Sequence, residues 1–183
     1  VKLVDFKIEM GRASDGTLTY LGCIKDVGAT VTCTQQAQGL ASPQYVAISP
    51  DGRNVYAGSG GGDNAVVTLD RDAGTGALSA GGCWADTSVG SADCGANTAP
   101  ALQGAEGVTV SPDGKNVYVV AQGDSAISSF TRDAGTGALT YVSCMSNGAV
   151  GCASPWAMRS PTSRWCLRCP SSWRGFPRSR STS

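Results

Sequence analysis

SPDGRNVYAG at 49–58 returns as SPDGKNVYVV at 111–120, and the stretch RDAGTGALS at 71–79 returns as RDAGTGALT at 132–140. Ser49 and Ser111 stand 62 residues apart, and Arg71 and Arg132 stand 61 apart. Whole turn sequences repeating at a fixed period mean that one supersecondary unit is built several times and stacked. A single such unit cannot bury its apolar face alone, so the repeats define the core as well as the fold.

Within one period the apolar pattern divides into four short strands separated by turn residues. The first repeat gives PQYVAIS (43–49), NVYAG (54–58), AVVTLDR (65–71) and ALSAGGCW (77–84). The second gives EGVTVS (106–111), NVYVVA (116–121), AISSFTR (126–132) and ALTYVSC (138–144). Pro50-Asp51-Gly52 and the AGTG at 73–76 supply the turns, and both are rich in residues that tolerate turn geometry. Upstream, VKLVDFKIEM (1–10) reads as a strand, GRASDG (11–16) as a turn, and TLTYLGCIKD (17–26) aligns with 77–86 and 138–147. The chain therefore opens in the second half of a repeat. Four antiparallel strands joined by tight turns and then repeated describe a propeller blade. A β-sandwich also uses short, evenly spaced strands, but its strands do not repeat one another's turns. The expected fold is all-β: an incomplete β-propeller with a half blade at 1–42 and blades at 43–104 and 105–153.

Charge separates the repeats from the C-terminal segment. Residues 1–153 hold eight Lys and Arg against fourteen Asp and Glu, a net −6, whereas residues 154–183 hold six Arg and no acid. An acidic repeat region argues against nucleic acid as a partner, since phosphate binding needs a basic face. No apolar run approaches the roughly 20 residues of a membrane span, so no membrane role is expected. The absence of an initial Met suggests a mature or trimmed segment whose export signal is already gone. From about Pro155 the chain is Ser-, Arg- and Trp-rich, carries three of the four tryptophans, and lacks alternation. Two readings stand: a basic flexible tail that touches acidic partners, or the product of a reading-frame shift, which is favoured.

The chain contains no histidine. The commonest general base, the usual Ser-His and Cys-His pairs and the imidazole metal ligand are all excluded. Cysteines recur instead: Cys23 and Cys33, Cys83 and Cys94, Cys144 and Cys152, one pair per repeat, at the end of the fourth strand and in the loop after it. Pairs closing loops of this size read as local disulfides, each contributing about 2–3 kcal/mol by restricting the unfolded chain. The spacing is not that of a zinc site, and no metal and no cofactor are expected. Disulfides place the protein in an oxidising compartment, extracellular or periplasmic. Cys166 and Cys169 superficially resemble the thioredoxin motif, but Pro170 and two serines oppose the helix that motif needs. Asp70, Arg71 and Asp72 through Gly76 could be half a calcium loop, though a hairpin turn explains the same residues. Gly123-Asp124-Ser125 and Gly58-Ser59-Gly60 place serines without any histidine to take their protons, and read as turns.

The SPDGxNVYV core followed by RDAGTGALT resembles the YVTN-type, lactonase-like β-propeller repeats, a family that includes the bacterial 6-phosphogluconolactonase type. The resemblance covers about 1–153 and implies a closed ring of about seven blades, more than twice this chain. Open strand edges invite pairing, so self-association through the blade edges is expected. The resemblance also implies a ligand, a small molecule or a glycan, at the mouth of the central channel, near the start of each innermost strand. Where lactonase-type members have Pro-Arg-His, this chain has Pro43-Gln44-Tyr45 and Ala105-Glu106-Gly107. Ser59-Gly60 and Gln122-Gly123 replace the acid expected after the second strand. Glu106 as a base and Tyr45 as a polar contact are the candidate catalytic residues. The sequence favours a secreted binding or scaffold protein; the alternative is a cofactor-independent hydrolase of lactones or esters. A structural, filament-forming role comes third.

Overall fold

The computed structural model describes residues 6–12, 14–89, 94–148 and 151–153. The expectations for residues 1–5, for the 154–183 tail and for Cys166 and Cys169 lie outside the described residues. Described are β1 (Phe6–Arg12), β2 (Leu18–Asp26), β3 (Gln35–Ala37), β4 (Pro43–Ile48), β5 (Asn54–Ser59), β6 (Ala65–Arg71), β7 (Leu78–Asp86), β8 (Thr98–Ala99), β9 (Ala105–Val110), β10 (Asn116–Ala121), β11 (Ala126–Arg132) and β12 (Leu139–Ser146). They form three successive sheets, ordered β1-β2-β3, β4-β5-β6-β7-β8 and β9-β10-β11-β12. The fold is an incomplete β-propeller, its main strands antiparallel to their neighbours.

Each SPDG segment closes the first hairpin of its sheet in the same way. Ser49 Oγ donates to Asp51 Oδ1 (2.5 Å), accepts from the Asn54 amide (3.0 Å), and Gly52 takes the positive φ (70°) that closes the turn. Ser111, Asp113, Asn116 and Gly114 repeat the arrangement. In the RDAGTG turns, Asp72 Oδ1 accepts from the Gly74 and Thr75 amides and from Thr75 Oγ1, and Asp133 does the same for Gly135 and Thr136. An acidic side chain that collects the donors of its own turn fixes the hairpin locally, and the turn reading of these residues is the one the geometry supports.

One feature was not legible as secondary structure. The segment after each disulfide loop returns parallel to the outer strand of its sheet. β3 pairs with β2 and β8 with β7, and Ala153 makes the equivalent bridge to Met145. All three cysteine pairs are bonded, Cys23–Cys33, Cys83–Cys94 and Cys144–Cys152. The bond ties the returning segment to the strand it left, so a pairing of only two or three residues suffices to cover the outer edge.

The core lies between the sheets. Ile24, Leu40, Val55, Val67, Leu69 and Leu78 fill the joint between the first and second sheets. Tyr56, Val66, Leu102, Val117, Phe130 and Leu139 fill the joint between the second and third. There Phe130 stands edge-on to both Trp84 and Tyr141, each pair with ring centroids 5.7 Å apart, a favoured aromatic geometry.

Candidate functional site

The inner strands β4 and β9 lie against each other across the second joint. Each begins with a bulge. Pro43 is paired with Ser59 and Tyr45 with Gly58, leaving Gln44 as the extra residue. Ala105 is paired with Ala121 and Gly107 with Val120, leaving Glu106. A bulge interrupts the ladder and re-aims the side chain it carries, so the same device presents Gln44 in one blade and Glu106 in the next. Tyr45 is exposed beside its bulge, and Glu106 is half-buried.

β5, the partner of β4, also passes close to β9, and the approach requires a residue without a side chain at Gly58. A Cβ at Gly58 would stand 2.8 Å from the Ala105 carbonyl oxygen and 3.1 Å from that of Glu106. Glu106 lines a groove of about 630 Å³ with Val120, Gln122, Ile127 and Met145 on the flank of the third sheet. Tyr45 does not line this groove. The two residues expected to act together thus occupy equivalent ends of adjacent strands, with Glu106 also turned to the open flank. Among the described residues, no group of three or more His, Cys, Asp and Glu gathers where a metal could be held.

The most elaborate polar assembly lies at the turn end of the second joint, and its members read in the sequence as ordinary turn and strand residues. Arg132 crosses from the third sheet to the second. Its Nε donates to Tyr56 Oη (2.8 Å), one terminal nitrogen donates to both Asp51 Oδ2 and Asn54 Oδ1 (2.7 Å each), and the other reaches the Gly114 carbonyl (3.1 Å). Tyr56 donates its own proton to the Gly137 carbonyl (2.8 Å), and Asn54 Nδ2 donates to Asp70 (3.0 Å). Hydrogen bonds from Ser49, and next the Arg132 guanidinium, hold the Asp51 carboxyl well below the usual carboxylate range. Burial pushes the Tyr56 phenol up, and the arginine opposes that shift. The signal for this clasp was present, since Arg and the SPDG aspartate recur in step, but nothing in the spacing said that they meet between blades.

At the opposite, disulfide end a second polar device spans each joint. Two carboxylates from successive sheets accept consecutive backbone amides of the connecting segment. At the first joint Asp26 accepts from Leu40 (3.2 Å) and Asp63 from Ala41 (2.9 Å); at the second Asp86 accepts from Leu102 (2.8 Å) and Asp124 from Gln103 (2.9 Å). Burial chiefly raises the Asp124 carboxyl, and the neighbouring Asp86 adds to that. Hydrogen bonds from Ser88, Leu102 and Val89 outweigh the burial of Asp86 and lower it. These acids are held by structure-forming donors, which marks them as joint residues.

No family model matches the sequence, and no curated protein matches it. Solved structures do match in fold. A periplasmic gluconolactonase of Pseudomonas aeruginosa superposes with a TM-score of 0.58 at 20% identity, over 84% of this chain and 36% of that one. A candidate 6-phosphogluconolactonase of Bacteroides uniformis gives 0.57 at 17%, over 78% and 34%, and another from Bacteroides fragilis gives 0.55 at 21%, over 77% and 33%. The chain spans about a third of the length of these proteins. In fold, it is similar to a portion of a lactonase-like β-propeller.

Proposed function

We propose that this chain belongs to an exported β-propeller that binds a small polar ligand, such as a sugar or glycan, at the ends of its inner strands. The observation that carries the reading is the pair of bulges that present Gln44 and Tyr45 on one inner strand and Glu106 on the next. Side chains re-aimed at the same position of adjacent strands form a polar rim with hydrogen-bonding groups of both kinds. Three disulfides in the described residues support an oxidising compartment. A second reading, hydrolysis of lactones or esters with Glu106 as the base, draws on the gluconolactonase among the structural neighbours.

Titration calorimetry with free sugars, sugar acids and short glycans tests the first reading. Saturable binding that weakens at least about tenfold in Tyr45→Ala and Glu106→Gln is expected, the loss of roughly one good polar contact. Aldonolactones and short-chain p-nitrophenyl esters test the second. Turnover that disappears in Glu106→Gln would replace binding by catalysis. Neither binding nor turnover would remove the inner-strand ends as a site.

A further inference from the structure

The outer strand of each sheet carries a bulge at the same position, and the residue placed there differs. In β2, Tyr20 pairs with Met10 and Gly22 with Glu9, leaving Leu21 as the extra residue. In β7, Ala80 pairs with Leu69 and Gly82 with Thr68, leaving Gly81, and in β12 the extra residue is Val142. At the first joint Leu21 reaches the RDAGTG turn of the next sheet: its Cδ1 lies 3.5 Å from where a Cβ on Gly76 would stand. Gly137 holds that turn position at the second joint, where the bulge has no side chain to send toward it. A pocket of about 310 Å³ opens there, lined by Gly81 and Gly82 of one sheet and by Thr136 and Leu139 of the next. A Cβ on Gly81 would stand 3.3 Å from the Thr68 methyl and 3.4 Å from Asp70 Oδ1, both lining groups, so any side chain at the bulge enters the pocket.

The side chains around this space suit a polar ligand better than a packing gap. Trp84 lines it, half-buried, and its indole is fixed in place: Nε1 donates to the Leu139 carbonyl (3.1 Å), and the Phe130 ring stands edge-on at 5.7 Å. Thr68, Asp70 and Asn97 join it in the lining. Asp70 Oδ1 accepts from Asn54 Nδ2 (3.0 Å), whereas its second oxygen has no hydrogen-bond partner among the described residues. The Thr68 hydroxyl and the Asn97 side-chain amide have none there either. One rigid aromatic surface is thus flanked by a carboxylate, a hydroxyl and a carboxamide, all with capacity to spare.

We propose that the pocket at the β7 bulge binds a single neutral pyranose ring. A pyranose has a face of C–H groups that packs on an aromatic surface and a rim of hydroxyls that both donate and accept. Asp70 accepts from such hydroxyls, Asn97 donates to one and accepts from another, and Thr68 serves either way. A cation would use the carboxylate and the indole face but leave the Asn97 donors idle, and an anion would meet the charge of Asp70. The volume stands at the lower end of the range for ligand pockets, about 300–1,000 Å³, which suits one ring. The site shares no lining residue with the groove at Glu106 and goes beyond the binding proposed at the inner-strand ends.

Proton–nitrogen correlation NMR of the full chain tests this at the pocket itself, through the indole N–H of Trp84, assigned by its loss in Trp84→Phe. The probes are the methyl pyranosides of glucose, galactose, mannose and N-acetylglucosamine, with methyl glucuronide and tetramethylammonium as the charged arms. At least one neutral pyranoside is expected to shift the Trp84 signal saturably, and neither charged probe should do so at the same concentration. Asn97→Ala removes an exposed side chain that bonds to nothing else described, and should weaken binding about three- to tenfold, the worth of one hydrogen bond. Gly81→Leu gives the second joint the residue that the first has in Leu21 and should abolish the shift; circular dichroism checks that it folds, and Asn97→Ala carries the test if it does not. A Trp84 signal that no neutral pyranoside moves overturns the proposal. So does a signal moved by tetramethylammonium alone, which would make this a cation pocket. Binding unchanged in Asn97→Ala, or retained by a folded Gly81→Leu, overturns it as well.

Discussion

The two joints between sheets share one device and differ in another. At the disulfide end both use a pair of aspartates on consecutive amides, Asp26 with Asp63 and Asp86 with Asp124. At the turn end, among the described residues, the clasp is seen at the second joint. Arg132 there reaches Asp51, Asn54 and Tyr56 across the joint, whereas Arg71, its counterpart, donates to the Gly52 carbonyl of its own sheet's turn. The aspartate pair draws on the outer strand of the preceding sheet, which the first sheet has in β2. The clasp draws on the turn between the two inner strands of the preceding sheet, and β1–β3 has no such strands among the described residues. Each described joint thus has separate polar fastenings at its two ends where the strands that supply them are described.

Replacing the two arginines separates them most strongly. Arg132→Met should cost about 3 kcal/mol, because its side chain is 1% exposed and its loss leaves Tyr56 and Asn54 with buried polar atoms short of a partner. Arg71→Met should cost under about 1 kcal/mol, the scale of one partly solvated hydrogen bond. Urea unfolding of both variants checks the contrast, and equal costs would refute it. The clasp has a pH signature as well. Asp51 is lowered in the fold, so its contribution is fully present above the unfolded carboxylate value of about 4 and is lost as pH falls through the folded value. Arg132→Met should shrink that acid loss without abolishing it, because the Ser49 hydrogen bond is the larger cause.

Next in size is the contact between the second and third disulfides and the segments that precede their blades. Gly39 lies at φ +78°, and a Cβ there would stand 3.1 Å from both sulfurs of Cys83–Cys94. The same position one repeat on is Ala101, at φ +64°, packed with Cys144 and Cys152. Gly39→Ala should cost about 2 kcal/mol, combining left-handed strain with a crowded Cβ. Ala101→Gly should stay within about 0.5 kcal/mol of zero, since relief of strain is offset by a lost buried methyl and a freer unfolded chain. Thermal unfolding of both variants reads the asymmetry.

The features legible in the sequence are the local ones. SPDG and RDAGTG each close a turn with their own side chains, so their recurrence revealed the hairpins. The cysteine pairs lie within a dozen residues of each other, so their bonds were legible too. The clasp was not, because Asp51 and Arg132 are 81 residues apart and satisfy local turns whether or not they meet. The short parallel strands β3 and β8 escaped for a different reason: two or three residues carry no alternation to detect, and it is the disulfide that holds them in register. Glu106 and Tyr45 were chosen by analogy with the starts of inner strands. Their bulges could not be read from PQYVA or AEGVT, since an extra residue in a ladder is defined by the partner strand.

The smallest expected effect bears on the fastening that both joints share. Asp124 is raised in the fold by burial and by Asp86 beside it, against the pull of the Gln103 amide. A carboxyl with a raised folded value contributes stability below its unfolded value, and that contribution is lost as pH rises through the folded one. At neutral pH the charged Asp124 is therefore a mild liability that the joint tolerates for the sake of its hydrogen bond. Asp124→Asn keeps an acceptor for Gln103, removes the repulsion and offers Asp86 a donor. It should stabilise the protein by about 0.5 kcal/mol at pH 7, a small gain because the site is only half-buried and solvent screens it. At pH 3, where the native carboxyl is already protonated, the gain should vanish. A loss of stability at pH 7 would mean that the charge on Asp124, and not merely its oxygen, holds Gln103.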